Sequence, residues 1–235
     1  MGSEPIYYIK GKNNNKILTF MVYSSMLLTK RLVTMKTSKD KIIHAAIIEF
    51  ANYGLDGARV DRIAKKAKIN KAMIYYHFKN KEALYADIVK NLAQTIFDTV
   101  QGSLQKAIEA GNPIIVIEDY AKHMSSLDKH YFLIIMRELS SGGKFIRKIV
   151  APTIIEPITE LVGKFYQLGN NKNMLKDIHP QYTMISIAGA VIFYNLMRQI
   201  LEGTSVYQKY FQESNVEQYI ANLLQLLAHG IVKKE

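Results

Sequence analysis

The chain has 235 residues, a formal net charge of +11 and no cysteine. This length can bury a substantial core, as one large domain or as two small ones. Without cysteine the chain has no disulfides, no thiolate nucleophile and no zinc or iron–sulfur site built on Cys ligands, which is typical of a protein from a reducing compartment.

The positive charge is concentrated in the first third of the chain. Residues 1–35 hold five basic and one acidic residue (+4), and residues 36–82 hold eleven basic and five acidic residues (+6). Residues 83–235 hold fifteen basic and fourteen acidic residues (+1). A basic module on a nearly neutral body favours a polyanionic partner, with nucleic acid the first candidate and an anionic membrane surface the second.

Residues 1–35 differ in character from the rest. A polar run at 12–16 precedes a mostly apolar stretch at 17–28, as in a signal peptide, but no small-residue cleavage site follows. The stretch is also too short to span a bilayer. We predict a dispensable extension that is poorly ordered or reflects a mis-assigned start, with Met35 as the alternative start.

The chain from residue 38 onward is predicted to be a series of helices. Thr37 and Asp40 have capping-box spacing before an apolar face that ends at Gly54. A second short helix follows, then a tight break at 68–69, and Asn70 caps a third helix that runs to about Phe78. A fourth helix is expected to end near residue 101.

The remainder continues the helical pattern. One predicted helix starts at Pro113, and the next carries an apolar stripe that ends before a Gly-Gly pair. A long helix should begin at Pro180 and a last one near Val216. Strand alternation and internal repeats are absent, so the predicted fold class is all-α. The members of the stripe are Phe132, Ile135, Met136 and Leu139.

The second and third helices predict a helix-turn-helix. The third helix must enter a major groove, so groups on its first turn, such as Lys71 and Met73, can reach base edges. Tyrosine hydroxyls and a histidine N–H on the next turn can bind phosphate oxygens. Lys81 begins the fourth helix, where the helix dipole also favours an anion.

The segment Ile63-Ala64-Lys65-Lys66-Ala67, followed by Ile74-Tyr75-Tyr76-His77-Phe78 and Lys81-Glu82-Ala83-Leu84, resembles the DNA-binding domain of the TetR family. The resemblance covers residues 38–90. It implies base contacts from residues 71–73 and phosphate contacts from residues 75–77 and 81, with help from the start of the second helix. The predicted DNA-binding set is Arg59, Asn70, Lys71, Ala72, Met73, Tyr75, Tyr76, His77 and Lys81.

Three positions depart from the family pattern. Ala58-Arg59 stands where a hydroxyl residue is common, and Lys68 stands where the turn usually has glycine. Met73 replaces a small or hydroxyl residue and suits a thymine methyl group better than a polar base edge. These departures bear on which operator is read. Tyr75 could instead be partly core, and His44 beside the first apolar face is expected to be structural.

The resemblance implies a DNA-binding domain at 36–83 and an effector-binding and dimerisation domain at 84–235. It further implies a cytoplasmic, ligand-responsive repressor that binds a palindromic operator as a homodimer. Residues 178–197 carry no formal charge, but Pro180 and Asn195 make a poor membrane span, so burial on two sides is preferred. The predicted dimer interface comprises Ser186, Ala190, Phe193, Met197, Ile220, Leu224 and Leu227.

The effector is expected to be a small molecule of unknown identity, with no cofactor and no metal. Asp119 and His123 could share a metal, although a surface pair is the favoured interpretation. No nucleophile elbow, H-E-x-x-H motif or nucleotide fingerprint occurs, so we predict that the chain is not an enzyme. Some apolar residues could line a cavity, although plain core is the favoured interpretation of each: Phe97, Met124, Phe132, Met136, Phe165 and Phe193.

Overall fold

The computed structural model describes residues 37–171 and 176–231. The extension predicted at 1–35 lies outside this part of the chain. Within it every regular element is a helix and no strand occurs, which confirms the all-α fold class.

Three consecutive helices build the N-terminal unit. They are α1 (Ser38–Gly57), α2 (Val60–Ala67) and α3 (Lys71–His77). Thr37 and Asp40 form the predicted capping box at the start of α1. Gly54 has φ 68° and ψ −179°, a region open mainly to glycine, and interrupts α1. The predicted end at Gly54 was therefore one turn early, because the chain resumes a helical turn that closes at Gly57.

The long helix α4 (Lys81–Ala110) links this unit to the rest of the protein. The Asn80 side chain caps it by accepting a hydrogen bond from the Ala83 amide over 2.7 Å. The expected end near residue 101 was wrong, and the helix continues to Ala110, where Gly111 caps it in the left-handed conformation. Gly102 lies within α4 without ending it. The helix ends only where the Gly-Asn-Pro sequence follows residue 110.

Further helices pack around the C-terminal two-thirds of α4. A ten-residue π-helical segment at Ile146–Ile155 contains Pro152 and continues directly into the next α-helix. The predicted helices that begin at Pro180 and Val216 are both present. The remaining helices are α5 (Ile114–Ser126), α6 (Lys129–Ser140), α7 (Glu156–Asn171), α8 (Pro180–Ile200), α9 (Ser205–Tyr210) and α10 (Val216–Ile231).

Helix α6 buries a different face from the predicted stripe. Met136 and Leu139 are 38% and 58% exposed, whereas Ile134 and Glu138 are buried with Phe132. The predicted stripe was wrong at its two exposed members, because a charged residue takes an inward position. Glu138 is tolerated there because both of its carboxylate oxygens accept hydrogen bonds, from the Tyr85 hydroxyl and from the backbone amide of Phe145.

The N-terminal core joins α1, α2, α3 and the first turns of α4. It also takes in Ile134 of α6 and Phe145, so α6 packs directly against the three-helix unit. A second core lies between α5, α8 and α10, where the rings of Tyr194 and Tyr219 stack with centroids 3.6 Å apart. Among the described residues, no helix has the combination of length and hydropathy that crossing a bilayer requires.

Candidate nucleic-acid interface

A buried carboxylate fixes the position of α2 relative to α1. Glu49 is 5% exposed, and its Oε1 accepts hydrogen bonds from the Arg59 amide over 3.0 Å and from Arg62 Nε over 2.6 Å. The Arg62 guanidinium also donates to the Gly57 carbonyl and lies over the Tyr53 ring, 4.2 Å from its centroid. Because the ion pair is short and partly shielded from water, it holds the start of α2 rigidly.

The turn between α2 and α3 depends on one left-handed residue. Lys68 has φ 55° and ψ 47°, the conformation for which the family pattern uses glycine. Its amide donates to the carbonyl of Lys65, and the Ile69 amide donates to that of Ala64, so the last carbonyls of α2 are satisfied. The Lys68 side chain remains exposed on the turn.

Helix α3 presents a continuous exposed face. Ile74 is its buried anchor, at 1% exposure, and packs into the three-helix core. Met73, Tyr75 and Tyr76 are 36%, 48% and 80% exposed, and residues 71 and 72 on the first turn are exposed as well. Tyr75 therefore lies at the surface, and its alternative assignment to the core is wrong.

The side chains of four of the predicted DNA-binding residues already make polar contacts within the protein. Asn70 Oδ1 caps α3 by accepting from the Ala72 amide, and Lys71 Nζ lies 2.8 Å from a carboxylate oxygen of Asp61. His77 Nε2 is 2.8 Å from the Ser38 hydroxyl. Lys81 Nζ donates to the backbone carbonyls of residues 56 and 58 and so satisfies the end of α1. These contacts position α3, and its exposed side chains are left for a ligand.

The prediction from sequence missed three residues that help to hold this surface in place, Ser38, Glu49 and Arg62. Glu49 and Arg62 form the ion pair between α1 and α2, and the Ser38 hydroxyl forms a hydrogen bond with His77, which lies 39 residues later in the chain. A glutamate inside the apolar stripe of α1 was the available signal for the first contact. Lys65 and Lys66 are also exposed and extend the basic surface along α2 toward the turn.

The family model of bacterial regulatory proteins of the tetR family matches residues 42–88. This match covers α1 to the first turns of α4, the same elements that form the anchored helix-turn-helix. Residues 42–88 are a TetR-family DNA-binding domain.

Two relatives share this TetR-type domain. The HTH-type transcriptional repressor SCO4008 of Streptomyces coelicolor is 44% identical over 55 residues, 23% of this chain and 29% of that protein. The biofilm operon negative transcriptional regulator IcaR of Staphylococcus aureus is 50% identical over 52 residues, 22% of this chain and 28% of that protein. The chain thus matches less than a third of the length of either relative.

Solved structures extend the likeness of fold beyond the TetR-type domain. The putative transcriptional regulator SCO4942 of Streptomyces coelicolor superposes with a TM-score of 0.62 at 20% identity, over 83% of this chain and 98% of that one. FadR of Bacillus subtilis, solved with stearoyl-CoA, gives a TM-score of 0.60 at 19% identity, over 80% of this chain and 96% of that one. At these identities the likeness concerns the fold alone.

The helices beyond the TetR-type domain form a cavity of about 580 Å³, open on one side, between α4, α5, α6, the π-helical segment, α7 and α8. Met124 and Phe165 line it as predicted, and the other four predicted members do not. Phe132 instead fills the core between α5, α8 and α10, while Phe97 packs against α7 and the π-helical segment. Met136 and Phe193 are 38% and 61% exposed. The helices are apolar around much of their circumference, so spacing alone could not identify the face toward the cavity.

The residues predicted for a dimer interface divide between surface and core. Ser186 and Phe193 are exposed on α8, with Ala190 and Met197 half-buried beside them. Ile220 is 2% exposed and belongs to the core of its own protomer, which corrects its assignment to the interface. Leu224 and Leu227 are half-buried against that same core.

Asp119 and His123 were considered as a possible metal-binding pair, but the Asp119 carboxylate is engaged by other residues. Asp119 Oδ2 accepts from the Ser103 hydroxyl over 2.8 Å and from Lys106 Nζ over 3.0 Å. His123 Nε2 is buried and has no hydrogen-bond partner among the described residues. That same part of the chain contains no cluster of three potential metal ligands.

Proposed function

We propose that the chain is a transcriptional regulator that binds double-stranded operator DNA as a homodimer and represses transcription until a small molecule releases it. The observation that carries this proposal is the exposed face of α3, held on a TetR-type domain whose turn and flanking helices are fixed by internal contacts. The two relatives are named a repressor and a negative regulator, which favours repression.

A second copy of the chain is the partner that the exposed face of α8 favours. Apolar side chains repeat there at helical spacing. An exposed apolar face of this kind marks a surface for association with another protein. A two-fold dimer would present two α3 helices to successive major grooves. The exposed apolar residues are Tyr182 at 68%, Ile185 at 59%, Phe193 at 61%, Ile200 at 60% and, on α10, Leu226 at 66%.

The cavity and the DNA-binding domain share structural elements, which supports control by a ligand. Glu138 lines the cavity and accepts a hydrogen bond from Tyr85, which packs edge-on against Phe50 of α1. The neighbouring Arg137 donates to the carbonyls of Ala51 and Asn52 over 2.8 and 2.6 Å. A ligand that moves α6 would therefore move α1 and the start of α4, provided that it binds the two arrangements with different affinity.

Footprinting on the DNA that flanks the chain's own gene tests this function. We expect protection of two symmetric half-sites whose centres lie about one helical turn, or roughly 34–36 Å, apart. Protection of a single half-site would contradict the homodimer. A footprint that covers all sequences equally would contradict operator recognition.

A further inference from the structure

The chemistry of the cavity wall restricts what the regulator can bind. Among the described residues that line it, aliphatic side chains predominate, and Glu138 is the one charged residue. The wall follows α4 from Val89 to Leu104, and fifteen residues at the helical rise correspond to about 22 Å. The cavity is therefore elongated as well as apolar.

Nearly every polar group in the wall is already paired. Glu138 accepts two hydrogen bonds, from Tyr85 and from the Phe145 amide. The Tyr166 hydroxyl donates to the Lys176 carbonyl and accepts from the Ile178 amide. The Thr183 hydroxyl donates to a carbonyl of its own helical turn.

Tyr120 is the exception in the lining. It is half-buried and packs both against the apolar residues of α4 and α7 and against the core between α5, α8 and α10. Its hydroxyl has no hydrogen-bond partner within the described ranges. Burial raises the pKa of Tyr120, so the phenol stays protonated and can donate a hydrogen bond. Because Tyr120 lines the cavity, its hydroxyl is available to donate to an acceptor on a bound ligand.

The described wall offers no cationic side chain that could pair with an anionic head group. No lysine, arginine or histidine is among the described lining residues, and the Glu138 carboxylate would repel a second negative charge. A cation would find Glu138 already occupied by its two donors. Both observations favour a neutral polar group.

From these observations, and resting on the proposed ligand-responsive function, we propose that the cavity binds an extended hydrocarbon chain bearing one neutral hydrogen-bond acceptor, such as an ester or thioester carbonyl, which accepts from Tyr120. The π-helical segment supplies part of the wall through Ile146, Val150 and Ile154. Its Pro152 lacks an amide donor, and such irregular helical turns recur at functional sites.

Calorimetric titration of the full chain with three probes of equal chain length tests the charge requirement. The probes are methyl dodecanoate, dodecanoate at pH 8 and dodecyltrimethylammonium. We expect the ester to bind at least about 10-fold more tightly than either charged probe, because each charge would be buried without a partner. Equal affinity for dodecanoate and the ester would overturn the proposal. Dodecanoyl-CoA as a fourth probe distinguishes a thioester ligand, which should bind tightly, from a small ester alone.

Two variants test the position of the acceptor. Tyr120→Phe removes one hydroxyl and should weaken ester binding about 3- to 10-fold, the range of one net hydrogen bond. Tyr131→Phe, on α6 and outside the cavity lining, is the matched control and should leave binding unchanged. Unchanged ester affinity in Tyr120→Phe would overturn the assignment. In Met184→Lys, a cation at the wall should increase dodecanoate affinity relative to the ester.

Measuring release of operator DNA with the same proteins and probes distinguishes failure of this inference from failure of the proposed function. Ester binding by calorimetry without release of operator DNA would support the ligand class and contradict the switch. Release of DNA by dodecanoate but not by the ester would support a ligand-responsive regulator and overturn the ligand class.

Discussion

The Tyr85 hydroxyl donates a 2.8 Å hydrogen bond to the Glu138 carboxylate, and both side chains are buried. Tyr85 lies near the start of α4 among the core residues of the DNA-binding domain, whereas Glu138 lies on α6 at the wall of the cavity. This buried contact thus joins the two parts of the molecule that the proposed switch must couple.

Loss of this contact should destabilise the fold. Tyr85→Phe would leave one oxygen of a buried carboxylate without its donor, which costs about 1–3 kcal/mol in the free energy of unfolding. Urea denaturation measures the change. Tyr131→Phe is the control, since its half-buried hydroxyl has no partner among the described residues, and we expect a change within about 0.5 kcal/mol. Equal effects of the two substitutions would contradict a specific role for the Tyr85–Glu138 bond.

The turn of the helix-turn-helix gives a second prediction. Because Lys68 has φ 55°, Lys68→Gly should leave the free energy of unfolding nearly unchanged, as relief of strain offsets the greater backbone freedom of glycine. Lys68→Val should be less stable than Lys68→Gly by about 1–2 kcal/mol, since a β-branched residue fits this region poorly. Both variants remove the same charge, so their difference in thermal or urea unfolding isolates the backbone. Equal stability of the two would contradict the left-handed turn.

The helix-turn-helix could be predicted from the sequence because its signals are local. The capping box at Thr37, the Asn70 cap and the break at Lys68 each depend on neighbouring residues. The inward position of Glu138 could not be predicted, because its main partner lies 53 residues away in the chain. The faces of α8 were equally ambiguous, since apolar residues surround the helix and only packing separates Val191 in the core from Phe193 at the surface.

A charge on the exposed face of α8 should prevent dimerisation. Phe193→Glu places a carboxylate in the proposed apolar contact, and we expect monomers in sedimentation velocity where the wild type forms dimers. Val206→Glu introduces the same charge at an exposed position on α9 and should remain dimeric. A dimeric Phe193→Glu protein would show that another surface mediates association.

The stability of the chain should decrease in mild acid in part through His123. Burial lowers the pKa of His123, so the unfolded chain binds the proton more readily than the folded one. Its contribution to stability is complete above the ordinary histidine pKa of about 6.5 and is lost as the pH falls below that value, by at most about 1.4 kcal/mol per pH unit. His123→Leu should flatten the dependence of the free energy of unfolding on pH between 7 and 5. A variant with the wild-type slope would contradict this origin.

The exposed face of α3 is the central element of the account, and fluorescence anisotropy with DNA flanking the chain's own gene tests it most directly. The titration compares that duplex with one of shuffled sequence at several salt concentrations. It uses the wild type, the double variant Tyr75→Ala/Tyr76→Ala and, as a control for an exposed tyrosine elsewhere, Tyr210→Ala. We predict that the wild type and the control bind the flanking duplex at least about 10³-fold more tightly than the shuffled one, with affinity that falls steeply as salt rises. The double variant, which lacks two predicted phosphate contacts, should bind both duplexes more weakly than the wild type. Equal binding of both duplexes by all three proteins would contradict recognition of DNA through α3.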